Sequence, residues 1–189
     1  MKLGIIVEGD TEKILLSSEQ FRELMNSLNI DYIEEIINAE GAGNLLPHNL
    51  TAFVTALQQK GANKFLILTD LHDDSCYTIT HQRIVPPSSD YILVIAKKHI
   101  ETWFLADTNL LRNFFKKGNL FNEFPENEQN PFEYLSDLRV KYFQRGFGNK
   151  RLMTKILLKN GFSFTQAKNH TNCPSIKYFI NKLNHLSQS

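Results

Sequence analysis

The chain opens with GIIVEGDTE at residues 4–12, where an apolar run leads through a turn into the start of a helix. The run from Leu3 to Val7 predicts a buried strand, because it is uniformly apolar and ends at a turn. Gly9 makes the bend, and Asp10 or Thr11 can accept the free N–H groups of the following helix. The segment therefore predicts the first strand–helix unit of an α/β protein.

Two glutamates flank this turn. Glu8 stands at the C-terminal tip of the predicted strand, and Glu12 lies in the first turn of the helix, so both can face one crevice. Acids at strand ends also serve as helix caps and as acceptors for loop N–H groups. A pair of carboxylates at one strand tip is better suited to a divalent cation, which prefers oxygen ligands.

The rest of the first half alternates between strand-like and helix-like segments. Strands are predicted at Ile30 to Ile37, Lys64 to Thr69 and Tyr91 to Ala96, helices at Thr11 to Leu28 and Leu45 to Gln59, and a loop at Glu40 to Asn44. This order predicts the α/β class, with a mainly parallel sheet that has helices on both faces.

The second half is predicted to be helical. Amphipathic spacing covers Glu101 to Phe115, Phe132 to Phe143, Lys150 to Lys159, Phe164 to Asn169 and Ser175 to Leu186. We expect an α/β core over residues 1–107 and a helical C-terminal portion over residues 108–189. The helical portion is expected to pack at one edge of the sheet, within the same domain.

Composition and charge narrow the function classes. The chain has 189 residues, of which 42% are hydrophobic, and no segment is apolar for long enough to span a membrane. With no signal-peptide pattern, and with Cys76 and Cys173 far apart, we expect a cytoplasmic protein with reduced thiols. Residues 1–95 carry a net charge of −7 and residues 96–189 a net charge of +8. This split suits a metal-dependent enzyme that acts on a phosphate backbone, although the two halves can also simply attract each other.

A second acidic motif follows the strand that ends at Asp70. The carboxyl ends of parallel strands meet at one edge of a sheet, so Glu8 and Asp70 should lie close together. The residues after Asp70 add His72, Asp73 and Asp74. Oxygens from Glu8, Asp70 and Asp73 or Asp74 can hold Mg²⁺, while His72 is either a further ligand or an exposed loop residue.

A third motif follows the strand that ends at Ala96. Glu101 can add a carboxylate to the same sheet edge, or it can pair with Lys97 or Lys98. The apolar side chains from Trp103 to Leu105 are expected to pack inward.

A basic and aromatic cluster follows further along the chain. It comprises Arg139, Lys141, Tyr142, Phe143, Arg145, Phe147, Lys150, Arg151 and Lys155. Such a cluster can bind a phosphate backbone and stack on bases, or it can be a solvated helix pair with its aromatics in the core. We assign phosphate contact to Arg145, Lys150 and Arg151, and add Lys97 and Lys98 as candidate nucleic-acid contacts.

Taken together, these motifs resemble a known family. The segments Val7–Glu12, Asp70–Asp74 and Ile100–Asp107, with Asn172–Ser175 and the helix after it, are similar to the small Toprim-like proteins of prokaryotes. That family, of unknown function, is related to the Toprim domain of OLD-family nucleases. The resemblance covers nearly the whole chain.

The resemblance implies a Rossmann-like, Toprim-type sheet with a Mg²⁺ site. Glu8 matches the Toprim glutamate, Glu12 the second acid of OLD-type members, and Asp70 the first acid of the Asp-x-Asp motif. His72 departs from the pattern, because it stands where the second aspartate is expected. Either Asp73 or Asp74 replaces that acid, or His72 shifts the preference from Mg²⁺ to Mn²⁺, or catalysis has been lost.

Two functions remain open from the sequence. The first is a Mg²⁺- or Mn²⁺-dependent phosphodiesterase, a nuclease acting on DNA or RNA, in which Glu12 and Glu101 complete a second metal position or act as general base. The family's relatives extend this to prokaryotic defence. The second is an inactive Toprim-like module that binds nucleic acid or a partner protein, for example a separate ATPase. The chain itself contains no P-loop motif.

Overall fold

A computed structural model describes residues 1–71, 76–84, 88 and 90–188. Four parallel strands form its sheet: β1 (Leu3–Val7), β2 (Ile37–Asn38), β3 (Lys64–Asp70) and β4 (Tyr91–Ala96), in the order β2-β1-β3-β4. The predicted α/β class with a parallel, helix-flanked sheet is therefore confirmed. Since all four strands run in the same direction, their carboxyl ends lie along one edge of the sheet.

Helices make up most of the rest of the described chain. They are α1 (Asp10–Leu16), α2 (Glu19–Ser27), α3 (Pro47–Gln59), α4 (Tyr77–Ile84), α5 (Thr102–Ala106), α6 (Thr108–Phe115), α7 (Pro131–Phe143), α8 (Lys150–Lys159), α9 (Phe164–Lys168) and α10 (Pro174–Leu186). Short 3₁₀ turns lie at Ala42–Leu45 and Pro125–Asn127. None of the helices that the structure describes is both long and apolar enough to cross a membrane.

The two faces of the sheet pack against different helices. Alternate residues of a strand point to opposite faces, so Ile5 and Val7 enter one hydrophobic cluster and Ile6 enters the other. The smaller cluster includes residues of α3 and α4, whereas the larger one includes residues of α1, α2 and the helices after residue 107. The helical C-terminal portion therefore shares a core with one sheet face, where α10 contacts the edge strand β4.

Two predicted helices are each divided by a capping side chain. The segment from Thr11 to Leu28 forms α1 and α2, because the Ser18 hydroxyl accepts the Phe21 N–H at 3.2 Å and starts a new helix. In the same way, the Asp107 carboxylate accepts the Leu110 N–H at 2.9 Å and separates α5 from α6.

The predicted strand from Ile30 to Ile37 is mostly irregular. Only Ile37 and its neighbour Asn38 pair with β1 as a strand, apart from an isolated bridge between Leu3 and Tyr32. The exposed Glu34 and its neighbour form a bend between these two points. Consecutive charged residues interrupt the apolar alternation there, so the segment cannot stay in register with the sheet.

Candidate metal centre

Three segments meet at the carboxyl edge of the sheet. Glu8 follows β1, Asp70 ends β3, and Glu101 follows β4. Together with helices α1 and α8 they border a cleft of about 300 Å³. Its lining includes five carboxylates and two basic side chains: Glu8, Asp10, Glu12, Asp70, Glu101, Lys150 and Arg151. Parallel pairing of the strands thus gathers acids that are far apart in the sequence.

Asp70, His99 and Glu101 form a compact group among the described residues of this region. One potential ligand atom from each lies within 4.8 Å of the other two, so the three side chains could hold a metal ion. Asp70 is held in place by its Oδ1, which accepts the Ile100 N–H at 2.8 Å. Its Oδ2 lies 3.3 Å from Nδ1 of His99. The backbone after β4 therefore orients the Asp70 carboxylate towards the imidazole.

Glu101 supplies the clearest sign that the group suits a cation. Its side chain is only 1% exposed, and its Oε1 lies 2.9 Å from Nζ of Lys150. Its other oxygen, Oε2, has no hydrogen-bond partner among the described residues. A buried carboxylate oxygen without a partner costs free energy, and a metal ion held by Asp70, His99 and Glu101 would remove that cost.

Two acids of the cleft have raised pKa values, because they are buried and lie close to other acids. Burial and, after it, the nearby charges of Asp70, Glu101 and Glu8 raise the pKa of Glu12 to about 8. Burial also raises the pKa of Asp70 to about 6, while its hydrogen bond to His99 acts in the opposite direction. These carboxylates would be stabilised by any cation placed among them.

Glu8 lies beside this group and is held by β3. Its Oε2 accepts the Thr69 hydroxyl, and it also accepts the Asp70 N–H at 3.1 Å. Both donors belong to the end of β3, so the Glu8 carboxylate is anchored across the strand pair. The arrangement places Glu8 where its charge raises the pKa values of both Glu12 and Asp70.

The start of α1 differs from the prediction. Gly9 is the N-cap of the helix, with extended backbone and no side-chain cap, and Asp10 is the first helical residue. The Asp10 carboxylate is used elsewhere: it accepts the Asn38 amide at 2.9 Å and forms an ion pair with Arg151. The prediction that Asp10 or Thr11 caps the helix is therefore wrong, because Asp10 faces the cleft instead.

The predicted ligands His72, Asp73 and Asp74 lie outside the described residues. The alternatives that depend on them stay predictions. Among the predicted nucleic-acid contacts, Lys150 and Arg151 lie on the lining of the cleft. The other three are found elsewhere on the surface: Lys97 and Lys98 directly follow β4, and Arg145 is exposed between α7 and α8.

The basic and aromatic cluster is divided between core and surface. Phe147 is buried, and the Arg139 guanidinium lies over its ring, 4.5 Å from the centroid. Arg139 also donates to the Gly146 carbonyl at 3.0 Å, so it has a role in holding this loop. Phe143 is 37% exposed. Phe147 thus lies in the core, as expected for a solvated helix pair with its aromatics in the core, whereas Phe143 and Arg145 lie on the surface.

His99 is the site residue that the sequence analysis missed. It lies two residues before Glu101 and three residues after the end of β4, at the same sheet edge as Asp70. A histidine two residues before Glu101 could have been recognised as a candidate ligand, but the sequence analysis chose His72, in the segment after β3, instead. Two carboxylates and an imidazole favour a first-row transition ion such as Mn²⁺ over Mg²⁺, which prefers oxygen ligands.

Comparisons with known proteins do not add to this chemistry. Neither a family model, nor a curated protein, nor a solved structure matches the chain. The relationship to Toprim-like proteins therefore stays a prediction from the motifs. The parallel sheet and the acidic cleft at its carboxyl edge are the observations from which a function can be proposed.

Proposed function

We propose that the protein is a divalent-metal-dependent phosphodiesterase, and specifically a nuclease that cleaves DNA or RNA. The observation that carries this proposal is the group formed by Asp70, His99 and Glu101, whose ligand atoms lie within 4.8 Å of one another. The buried, unpartnered Oε2 of Glu101 supports it, because this atom lacks a counterpart in the protein that the structure describes.

The acids of the cleft and the neighbouring His99 have distinct roles in this proposal. Asp70, His99 and Glu101 hold the ion, which when bound supplies Lewis-acid activation of the phosphodiester. Glu12 is buried in the same cleft, and its carboxylate, whose ionised form a bound cation would favour, would take a proton from an attacking water. Glu8 keeps the local charge negative, which favours binding of a cation.

Five basic side chains, two of them in the cleft, are proposed to hold the nucleic acid. Lys150 and Arg151 line the cleft beside the acids, and the exposed Arg145 precedes them on the α7–α8 connection. Lys97 and Lys98 follow β4 at the same sheet edge. Contacts of this kind act on phosphates and are independent of base sequence, so they suit a general nuclease.

A second candidate is a catalytically inactive module that binds nucleic acid or a partner such as a separate ATPase. One observation favours it: Lys150 already pairs with Glu101, and Arg151 already pairs with Asp10. These ion pairs balance part of the acidic charge without a metal. The module and the nuclease differ in whether cleavage accompanies binding.

Cleavage assays test the proposal directly. Purified protein is incubated with plasmid, single-stranded DNA and RNA in Mg²⁺ or Mn²⁺, beside Asp70→Asn, Glu101→Gln and the control Glu23→Gln. Glu23 is an exposed glutamate on α2. We expect cleavage by wild type and the control, and loss in the two cleft variants. Cleavage that persists in both cleft variants contradicts the proposed centre, and metal binding without cleavage favours the module.

A further inference from the structure

The pairing of Lys150 with Glu101 suggests how many metal ions the cleft holds. We infer that Lys150 is the second cation of the centre, so that each chain binds one divalent ion, with the Lys150 ammonium in place of another. This inference rests on the proposed metal-dependent function. It concerns the number of ions and the role of a lysine, neither of which follows from the metal group alone.

The two carboxylate oxygens of Glu101 have different surroundings. Oε1 lies 2.9 Å from the Lys150 ammonium, whereas Oε2 has no hydrogen-bond partner among the described residues. Asp70 and His99 place their own ligand atoms within 4.8 Å of the Glu101 carboxylate. One oxygen is thus already occupied by a positive charge, and the carboxylate retains one oxygen for a metal.

The exposure of the two partners differs from that of an ordinary surface ion pair. The Lys150 side chain is 46% exposed, whereas the Glu101 side chain is 1% exposed. The lysine therefore reaches from the rim of the cleft to a buried acid. Such an acid is strongly destabilised when its cation is removed, so the contact is worth more than a typical surface pair.

The position of Lys150 at the start of α8 is unfavourable for the helix and favourable for the cleft. Lys150 and Arg151 are the first two residues of the helix, and its first turn contains no acid. Positive charge at a helix N-terminus opposes the helix dipole, so both residues are unfavourable for the helix itself. The helix is capped instead by Asn149, whose side chain accepts the Leu152 N–H at 2.9 Å. The acids of the cleft compensate for the two basic residues.

A charge count in the cleft favours a single divalent ion. Among the described residues, five carboxylates and two basic side chains line it, which leaves three negative charges when all are ionised. One divalent ion reduces this excess to a single negative charge, whereas two would make the cleft positive and place the second ion against an ammonium group. The ammonium is also a point charge that can contact a phosphate oxygen of the substrate.

Counting bound Mn²⁺ tests the inference without measuring activity. Free and bound Mn²⁺ are separated by their electron paramagnetic resonance signals in wild type, Lys150→Gln, Lys150→Arg and Arg151→Gln. We expect one Mn²⁺ per wild-type chain. Lys150→Gln should bind Mn²⁺ about tenfold more tightly, because the repulsion of a nearby positive charge is removed. Lys150→Arg keeps the charge and should stay within about twofold of wild type.

Arg151→Gln is the matched control, because it removes an equal charge from the neighbouring residue. Its ion pair with Asp10 is more exposed, with side chains 68% and 39% exposed, so we expect a change below about threefold. Two or more ions on the wild type, or an unchanged or weaker affinity in Lys150→Gln, would overturn the inference. Absence of Mn²⁺ binding by the wild type overturns the metal centre itself, and the two failures are therefore distinguishable. Thermal melting of each variant confirms that it is folded.

Discussion

The Asp70 carboxylate accepts the backbone N–H of Ile100 at 2.8 Å, and this bond ties the end of β3 to the segment that follows β4. The same bond leaves Oδ2 of Asp70 directed at His99, 3.3 Å away. Asp70 therefore both shapes the loop that carries His99 and Glu101 and contributes an oxygen to the metal group. Its structural and chemical roles can be separated by substitution.

Asp70→Asn is expected to abolish metal binding and leave the fold intact. The amide oxygen of asparagine can still accept the Ile100 N–H, but it lacks the negative charge that a divalent ion needs. Asp70→Ala should in addition lower the free energy of unfolding by about 1–3 kcal/mol, because the buried Ile100 N–H loses its acceptor. Calorimetric titration with Mn²⁺ and urea unfolding measure the two effects. Equal stability of the two variants would contradict the positioning role.

His99→Asp is expected to change which metal the centre prefers. An imidazole favours Mn²⁺ over Mg²⁺, whereas three carboxylates form an oxygen-only site that suits Mg²⁺. We expect the ratio of the Mg²⁺ to the Mn²⁺ dissociation constant to fall by about tenfold or more in this variant. Competition titrations measure that ratio. His99→Gln serves as the control, since it should weaken binding of Mn²⁺ and add no charge. An unchanged ratio in His99→Asp would exclude His99 as a ligand.

Sequence reasoning was most accurate where a segment's own composition determines its structure. β1 and β4 occur at the predicted residues, Leu3–Val7 and Tyr91–Ala96, because each is a continuous apolar run between polar turns. Helix α8 also has its predicted limits, Lys150–Lys159. The prediction of a strand from Ile30 to Ile37 was less accurate, since whether a short mixed segment pairs with a sheet depends on contacts with distant residues.

Only the part of the candidate site that lies at the ends of strands was predictable from the sequence. Glu8 and Asp70 come together because parallel strands place their carboxyl ends at one edge. The partner of Glu101 was not predictable in this way: the expected ion pair used Lys97 or Lys98, whereas the structure uses Lys150. That contact depends on α8 packing beside α1, a long-range arrangement that local spacing does not encode.

Glu12 should make the stability of the metal-free protein depend on pH. Its pKa is raised from 4.5 to about 8 on folding, mainly by burial. Between these two values Glu12 is ionised in the unfolded chain and protonated in the folded protein, so its contribution to stability is fully present below about pH 4.5 and is lost as the pH rises towards 8. Glu12→Gln removes this loss. In EDTA at pH 8.5 we expect it to unfold with a free energy on the order of 2 kcal/mol higher than wild type.

Urea unfolding of both proteins over a pH series gives this comparison, with Glu23→Gln as the exposed control. The difference between Glu12→Gln and wild type should shrink towards pH 4.5, where Glu12 becomes protonated in the unfolded wild-type chain as well. Added Mn²⁺ should raise the stability of the wild type at high pH, since a cation offsets the buried charge. A constant difference across the series would show that the pKa of Glu12 is the same in the folded and the unfolded protein.

Ser175 links the core to the start of α10 and offers a test that is independent of the metal. Its hydroxyl accepts the indole N–H of Trp103 at 2.8 Å, and its backbone N–H donates to the buried Glu126 at 2.7 Å. Ser175→Ala leaves the indole N–H buried without an acceptor, which should lower the free energy of unfolding by about 1–3 kcal/mol. Trp103 is the only tryptophan of the chain, so its fluorescence reports unfolding directly.

Ser27→Ala, at an exposed serine of α2, is the control and should change stability by less than about 0.5 kcal/mol. The affinity for Mn²⁺ should match wild type in both variants, because neither serine lines the cleft; a weakened affinity in Ser175→Ala would show that the core beneath α5 also determines the geometry of Glu101.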